Sequence, residues 1–147
     1  MPGPIETTSY QIRVDMPPEP VIDALVDFWP DRARIWRETS HPAVYRLHRL
    51  GETDADVTEG VPFSWSREHY DWSTPGVVML TQLDSNVAQN GTIRYQIRPD
   101  GAGSLITCDR RREFFGRRGR VAGTFMVLLG RSVLIRQLRA GLERARP

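Results

Sequence analysis

The chain contains no lysine: all 20 basic residues among its 147 are arginine. That excludes chemistry built on a lysine amine, whether a Schiff base or the lysine of a phosphate-binding loop. Cysteine is nearly absent as well. Cys108 stands alone, so no intramolecular disulfide can form, as expected of a protein in a reducing cytoplasm. The three histidines, His41, His48 and His69, share no zinc-site spacing with each other or with Cys108, and no metal is expected. No uninterrupted apolar run approaches the roughly 18 residues of a membrane span; the longest is Phe125 to Leu129. The opening segment, Met1 to Glu6, has neither the basic nor the apolar region of a signal peptide. A cytoplasmic location is the expectation.

What is present suits one globular domain spanning residues 1–147, with residues 1–6 expected to be a flexible N-terminus. Hydrophobic residues make up 39% and charged residues 26% of the chain, enough to bury a core and too apolar for a disordered segment. The net charge of +2 hides an asymmetry. Six arginines face eleven acids in the first 60 residues; fourteen face seven in the remainder.

Strand and helix periodicities alternate along the chain in a defined order. Thr8 to Asp15 places Tyr10, Ile12 and Val14 on one face, as a half-buried strand does. The prolines after Met16 stop it. Val21, Ile22, Leu25 and Val26 then recur at helical spacing, and a second short helix is expected over Asp31 to Trp36. Strand patterns follow at Val44–Leu50, Ala55–Glu59, Phe63–Trp72, Val77–Leu83, Thr92–Arg98 and Ser104–Phe114. Pro99 to Gly103 reads as a hairpin turn. From Arg120 to about Arg144 the period is helical, with Val121, Phe125, Leu128, Ser132, Ile135, Leu138 and Leu142 on one stripe. This order predicts an α+β domain with helices on one face of an antiparallel sheet.

The element order and the local wording together resemble the START-like (SRPBCC) superfamily, in its polyketide cyclase/dehydrase and lipid transport branch. The stretches that carry the resemblance are His41-Pro-Ala-Val-Tyr-Arg-Leu-His-Arg-Leu-Gly51, Trp65-Ser-Arg-Glu-His-Tyr-Asp-Trp-Ser-Thr-Pro-Gly76, Asp84-Ser-Asn86 and Gly101 to Ser104. The resemblance implies a helix-grip: a curved antiparallel sheet wrapped around the long C-terminal helix, with a cavity between them for an apolar or amphipathic small molecule. It implies no catalytic residue, since no catalytic motif spans the superfamily.

Candidate cavity residues are Trp36, Phe63, Trp65, Tyr95, Phe125 and Leu129. Arg67 and His69 join them by parity, since alternation puts them on the same strand face as Phe63 and Trp65. An inward arginine needs a carboxylate, water or a ligand anion, and Asp109 and Glu113 on the last strand are the acids within reach. The plainer reading lets both side chains reach water at the sheet end. Gly101-Ala-Gly103 precedes a strand rather than a helix, so it is not a dinucleotide cradle, and no cofactor is expected. Cys108 reads as a small buried hydrophobe.

Arg110, Arg111, Arg112, Arg117, Arg118 and Arg120 lie close together, and from Arg110 onward eleven arginines face two acids. They read first as solvated charge; weak contact with an anionic membrane is the sharper reading. No base-reading motif accompanies them, so no specific nucleic-acid partner is expected. Three functions follow: binding or carrying a hydrophobic, lipid- or polyketide-like molecule; aromatase/cyclase-type catalysis on a polyketide; or a non-catalytic interaction through the arginine-rich end.

Overall fold

In the computed structural model, which describes residues 3–29 and 32–146, β1 (Ile5–Val14) is followed by two short helices, α1 (Pro18–Leu25) and α2 (Arg32–Ile35). Six strands come next: β2 (Arg46–Leu50), β3 (Asp54–Val61), β4 (Ser64–Asp71), β5 (Val77–Ser85), β6 (Ala88–Asp100) and β7 (Gly103–Phe114). Helix α3 (Gly116–Arg144) closes the chain. The strands form one antiparallel sheet in the order β1-β7-β6-β5-β4-β3-β2. The predicted α+β helix-grip architecture is the one observed.

Alternation builds the sheet's inner face. Along β1 every second residue from Glu6 to Val14 is buried, and the strand pairs with β7 from Ile5↔Glu113 to Val14↔Ser104. Ile5 and Glu6 therefore belong to a strand, not to a flexible N-terminus; residues 1 and 2 lie outside the described residues, as does Asp31 at the expected start of α2. The β6–β7 hairpin turns at Gly101, whose φ of +60° is a conformation that side chains disfavour. The main core gathers Ile12, Val57, Val78 and Ile106 from the sheet with Val21 from α1 and Leu138 and Leu142 from α3.

Helix α3 departs from the predicted stripe. Its C-terminal half buries Leu138 and Leu142, but in its N-terminal half the buried positions are Gly119 and Gly123. A methyl group on Gly123 would come within 2.6 Å of Pro4 and 2.8 Å of Phe114. The helix touches the sheet here through bare backbone, so Val121, Phe125 and Leu128, a third to half a turn away around the axis, are left exposed. Near the other end Gly141 lets the Trp36 ring lie against the helix, where a Cβ would fall 2.1 Å from the ring.

Candidate functional site

A cavity of about 520 Å³, open to solvent, lies between α3 and the concave face of the sheet. Its apolar wall includes Leu25, Val78, Leu80, Ile93, Phe114 and Met126. Of the residues singled out from sequence, Trp36, Phe63, Trp65, Tyr95 and Phe125 contribute to the wall. Trp36 is anchored by its indole N–H, which donates to the Ala24 carbonyl at 3.0 Å.

Arg67, His69 and Leu129 do not line it. On β4 the wall takes Ser64, Trp65 and Ser66 at the start of the strand and then only Glu68 and Tyr70; beyond Ser66 the period of two sends Arg67 and His69 to the convex side. Tyr70 is held inward by an edge-on contact with Phe28, ring centroids 4.8 Å apart. His69 lies across from Asp56 on β3, with Nδ1 2.7 Å from Asp56 Oδ1. Neither acid expected to meet Arg67 does so: Asp109 accepts from the Ser9 hydroxyl at 2.7 Å and Glu113 pairs with Arg111. Leu129 is exposed because the helix positions beside it that turn inward are Met126 and Gly130.

The polar part of the wall is built from charges that sequence reasoning did not select. Arg32 on α2 reaches Glu59 on β3 in a short contact through Nε. It also donates to the Leu25 and Asp27 carbonyls at 3.1 and 2.8 Å and to the Tyr70 hydroxyl at 3.0 Å. Tyr70 in turn donates to Glu59 Oε2 at 2.5 Å, and Ser40 donates to Oε1 at 2.8 Å. Arg110 on β7 donates through Nε to both oxygens of the buried Glu6, at 2.9 and 3.0 Å. Thr8 completes that carboxylate at 2.6 Å. Arg112, two residues on, makes a short ion pair with Glu68 and donates to Ser66 Oγ at 3.1 Å. Two buried atoms of this last pair, Glu68 Oε2 and Arg112 Nε, have no partner.

Each of the three arginines on the wall is thus matched by one glutamate, Glu6 and Glu68 buried and Glu59 half-buried. A buried charge is tolerable when paired and hydrogen-bonded, and this matching leaves the wall close to electrically neutral. Burial holds the Tyr70 and Tyr95 phenols protonated well above the ordinary tyrosine range, so Tyr95 presents a neutral hydroxyl. Cys108, behind the wall, is pushed up to about 11 by burial. The wall offers shape, apolar surface and neutral hydrogen-bonding groups; it offers no free cation for an anionic headgroup among the described residues.

A periodicity signal for these residues exists. Glu6 and Thr8 continue the inward face of Tyr10 and Ile12; Arg110 and Arg112 lie between Cys108 and Phe114 at the same parity; Glu59 follows Ala55 and Val57. Reading the alternation through charged residues, instead of stopping at them, finds all five.

No protein-family model and no curated protein matches the sequence. Solved structures do match its fold. The chain is similar to an aromatase/cyclase from Streptomyces sp. R1128, with a TM-score of 0.73 at 14% identity over 96% of this chain and 93% of that one. It is similar to a START superfamily protein from Mycobacterium smegmatis, with a TM-score of 0.73 at 14% identity over 95% and 96% of the two chains. Norcoclaurine synthase from Thalictrum flavum, solved with dopamine and hydroxybenzaldehyde, has a TM-score of 0.65 at 8% identity over 97% of this chain and 88% of that one. With its seven-stranded curved sheet gripping a long C-terminal helix, the chain has the START-like fold.

Proposed function

We propose that this protein binds or carries a neutral, hydrophobic or amphipathic small molecule in the cavity between α3 and the sheet. The observation that carries this reading is the cavity itself: about 520 Å³, within the range of small-molecule sites, with apolar walls and a charge-balanced polar belt. The pairing of Arg32, Arg110 and Arg112 with Glu59, Glu6 and Glu68 argues against a fatty-acid-like carboxylate, which would have to displace a buried glutamate. A phenol, ketone or polyol, lipid- or polyketide-like, fits the Tyr95 hydroxyl and the apolar surface without that penalty.

The test is native mass spectrometry of freshly purified protein together with titration by Nile red, a neutral apolar dye. A co-purified molecule, or saturable one-site dye binding that a neutral polycyclic phenol displaces better than palmitate does, is expected. Absence of both a bound molecule and saturable dye binding overturns the reading.

One observation favours catalysis as the second reading. Glu68 belongs to the wall with one carboxylate oxygen unpartnered, the kind of group a general base requires, and the fold is shared with an aromatase/cyclase. Conversion of a linear polyketide, lost in Glu68→Gln with binding retained, would select this reading over simple carriage.

A further inference from the structure

Helix α3 leaves a large apolar surface uncovered beside the cavity. Val121, Phe125, Val127, Leu128 and Leu129 are all exposed, Leu128 at 74% and Val121 at 63%. Single exposed apolar residues are ordinary, but a contiguous group rimmed by polar ones marks a contact surface. Phe63, at the β3–β4 turn, is exposed alongside, and with Val121 and Phe125 it lies on the cavity wall. These three residues mark where the cavity opens. The helix as a whole has 29 residues and is apolar enough in length and composition to meet the criterion for a membrane span, yet little of its most apolar stretch is buried.

The charge around this surface has one sign. No acid occurs between Glu113 and Glu143, while Arg117, Arg118, Arg120, Arg131, Arg136 and Arg139 do. All six are exposed. At 100° per residue, Arg117, Arg118, Arg136 and Arg139 fall on the same outward half of the helix as Val121, Phe125 and Leu128. The Arg118 guanidinium sits over the Phe63 ring, 5.5 Å from its centroid. Three of the arginines open the helix, whose first turn contains no acid. There they add to the positive end of the helix dipole instead of offsetting it. Within the fold this arrangement is unfavourable; facing an anionic surface it becomes favourable.

We propose that the N-terminal half of α3 docks on an anionic lipid bilayer. Val121, Phe125 and Leu128 enter the acyl boundary, Arg117, Arg118 and Arg120 contact the headgroups, and the cavity mouth at Phe63 faces the lipid. An apolar helix face combined with arginines is the composition of an interfacial helix. A second copy of this chain is the poorer occupant. In a two-fold contact the same patch meets itself, which would bring its arginines together in two copies, with no acid between Glu113 and Glu143 of either helix to answer them.

The experiment is co-sedimentation of the full chain with phosphatidylcholine vesicles, with and without phosphatidylglycerol, at low and high salt. Association with the anionic vesicles is expected, weakening with salt as surface charge is screened. The triple variant Arg117→Gln, Arg118→Gln, Arg120→Gln should lose on the order of a hundredfold in affinity, at roughly fivefold per arginine. Leu128→Asp should lose roughly tenfold or more. Both changes fall on exposed positions, and circular dichroism checks that the fold is kept. No association with anionic vesicles, unaltered association of Leu128→Asp, or concentration-dependent dimerisation in place of vesicle binding overturns the proposal. Because the vesicles are the probe, the outcome does not depend on whether the cavity holds a ligand.

Discussion

Arg112 on β7 pairs with Glu68 on β4 although β5 and β6 lie between those strands. Three strand spacings in a flat sheet amount to about 14 Å, a gap that side chains standing upright from a flat sheet do not bridge. The pair closes because the sheet curves, bringing inward side chains from distant strands toward one another across the concave face. The contact is thus a product of the same curvature that leaves room for the cavity.

Arg112→Ala should be strongly destabilising, by about 3–5 kcal/mol, because it strands the buried Glu68 carboxylate. The double change Glu68→Leu with Arg112→Met should recover most of that loss. Urea denaturation of the two variants beside the parent measures it. Equal losses in both would show that the pair contributes packing rather than charge matching.

Gly141→Ala should cost about 1–3 kcal/mol by overpacking, since its methyl would fall 2.1 Å from the Trp36 ring. Relief by Trp36→Leu in the double variant would identify that ring as the obstacle. Thermal unfolding of the two single variants and the double one gives the coupling.

Trp65→Ala should cost clearly less than the about 3–5 kcal/mol of a tightly packed tryptophan, because Trp65 borders the cavity and is only half-buried. Dye affinity should fall more than stability does. His69→Ala, on the convex side, should leave dye affinity unchanged. A drop in affinity for His69→Ala comparable to that for Trp65→Ala would contradict the placement of His69 on the face opposite Glu68 and Tyr70.

Alkaline conditions should weaken the fold from about pH 9 upward. The Cys108 thiol is raised to about 11 by burial, so the folded state keeps it neutral while the unfolded chain ionises it first. A raised folded pKa gives stability that is complete below the unfolded value and is lost as pH climbs toward 11, here on the order of 2 kcal/mol. In Cys108→Ala the slope of stability against pH over this interval should be shallower. Slow reaction of the native thiol with an aromatic disulfide at pH 8, accelerated by urea, would locate the same burial kinetically.

The order of elements was legible in the sequence because each one is written in local alternation. Tyr10, Ile12 and Val14 mark β1, the turn residues from Pro99 to Gly103 mark the β6–β7 hairpin, and Leu138 and Leu142 mark the buried half of α3. These signals depend on near neighbours along the chain and survive without knowledge of the fold. Aromatic positions such as Trp36, Phe63, Trp65, Tyr95 and Phe125 could be tied to the cavity for a similar reason: large rings in a helix-grip have few other places to go.

Tertiary structure decided the rest. On β4 aromatic content favoured the face of Phe63 and Trp65, yet Glu68 and Tyr70 turn inward because Arg112 and Arg32 wait there, 44 and 38 residues away in the chain. On α3 the apolar stripe pointed Val121 and Leu128 toward the core, but close contact with Phe114 is possible only where Gly119 and Gly123 leave the backbone bare. A buried charge is legible only when its partner's position is known, and an apolar side chain is buried only when something is near enough to cover it. Sequence spacing supplies neither distance; the curvature of the sheet and the seat of the helix upon it do.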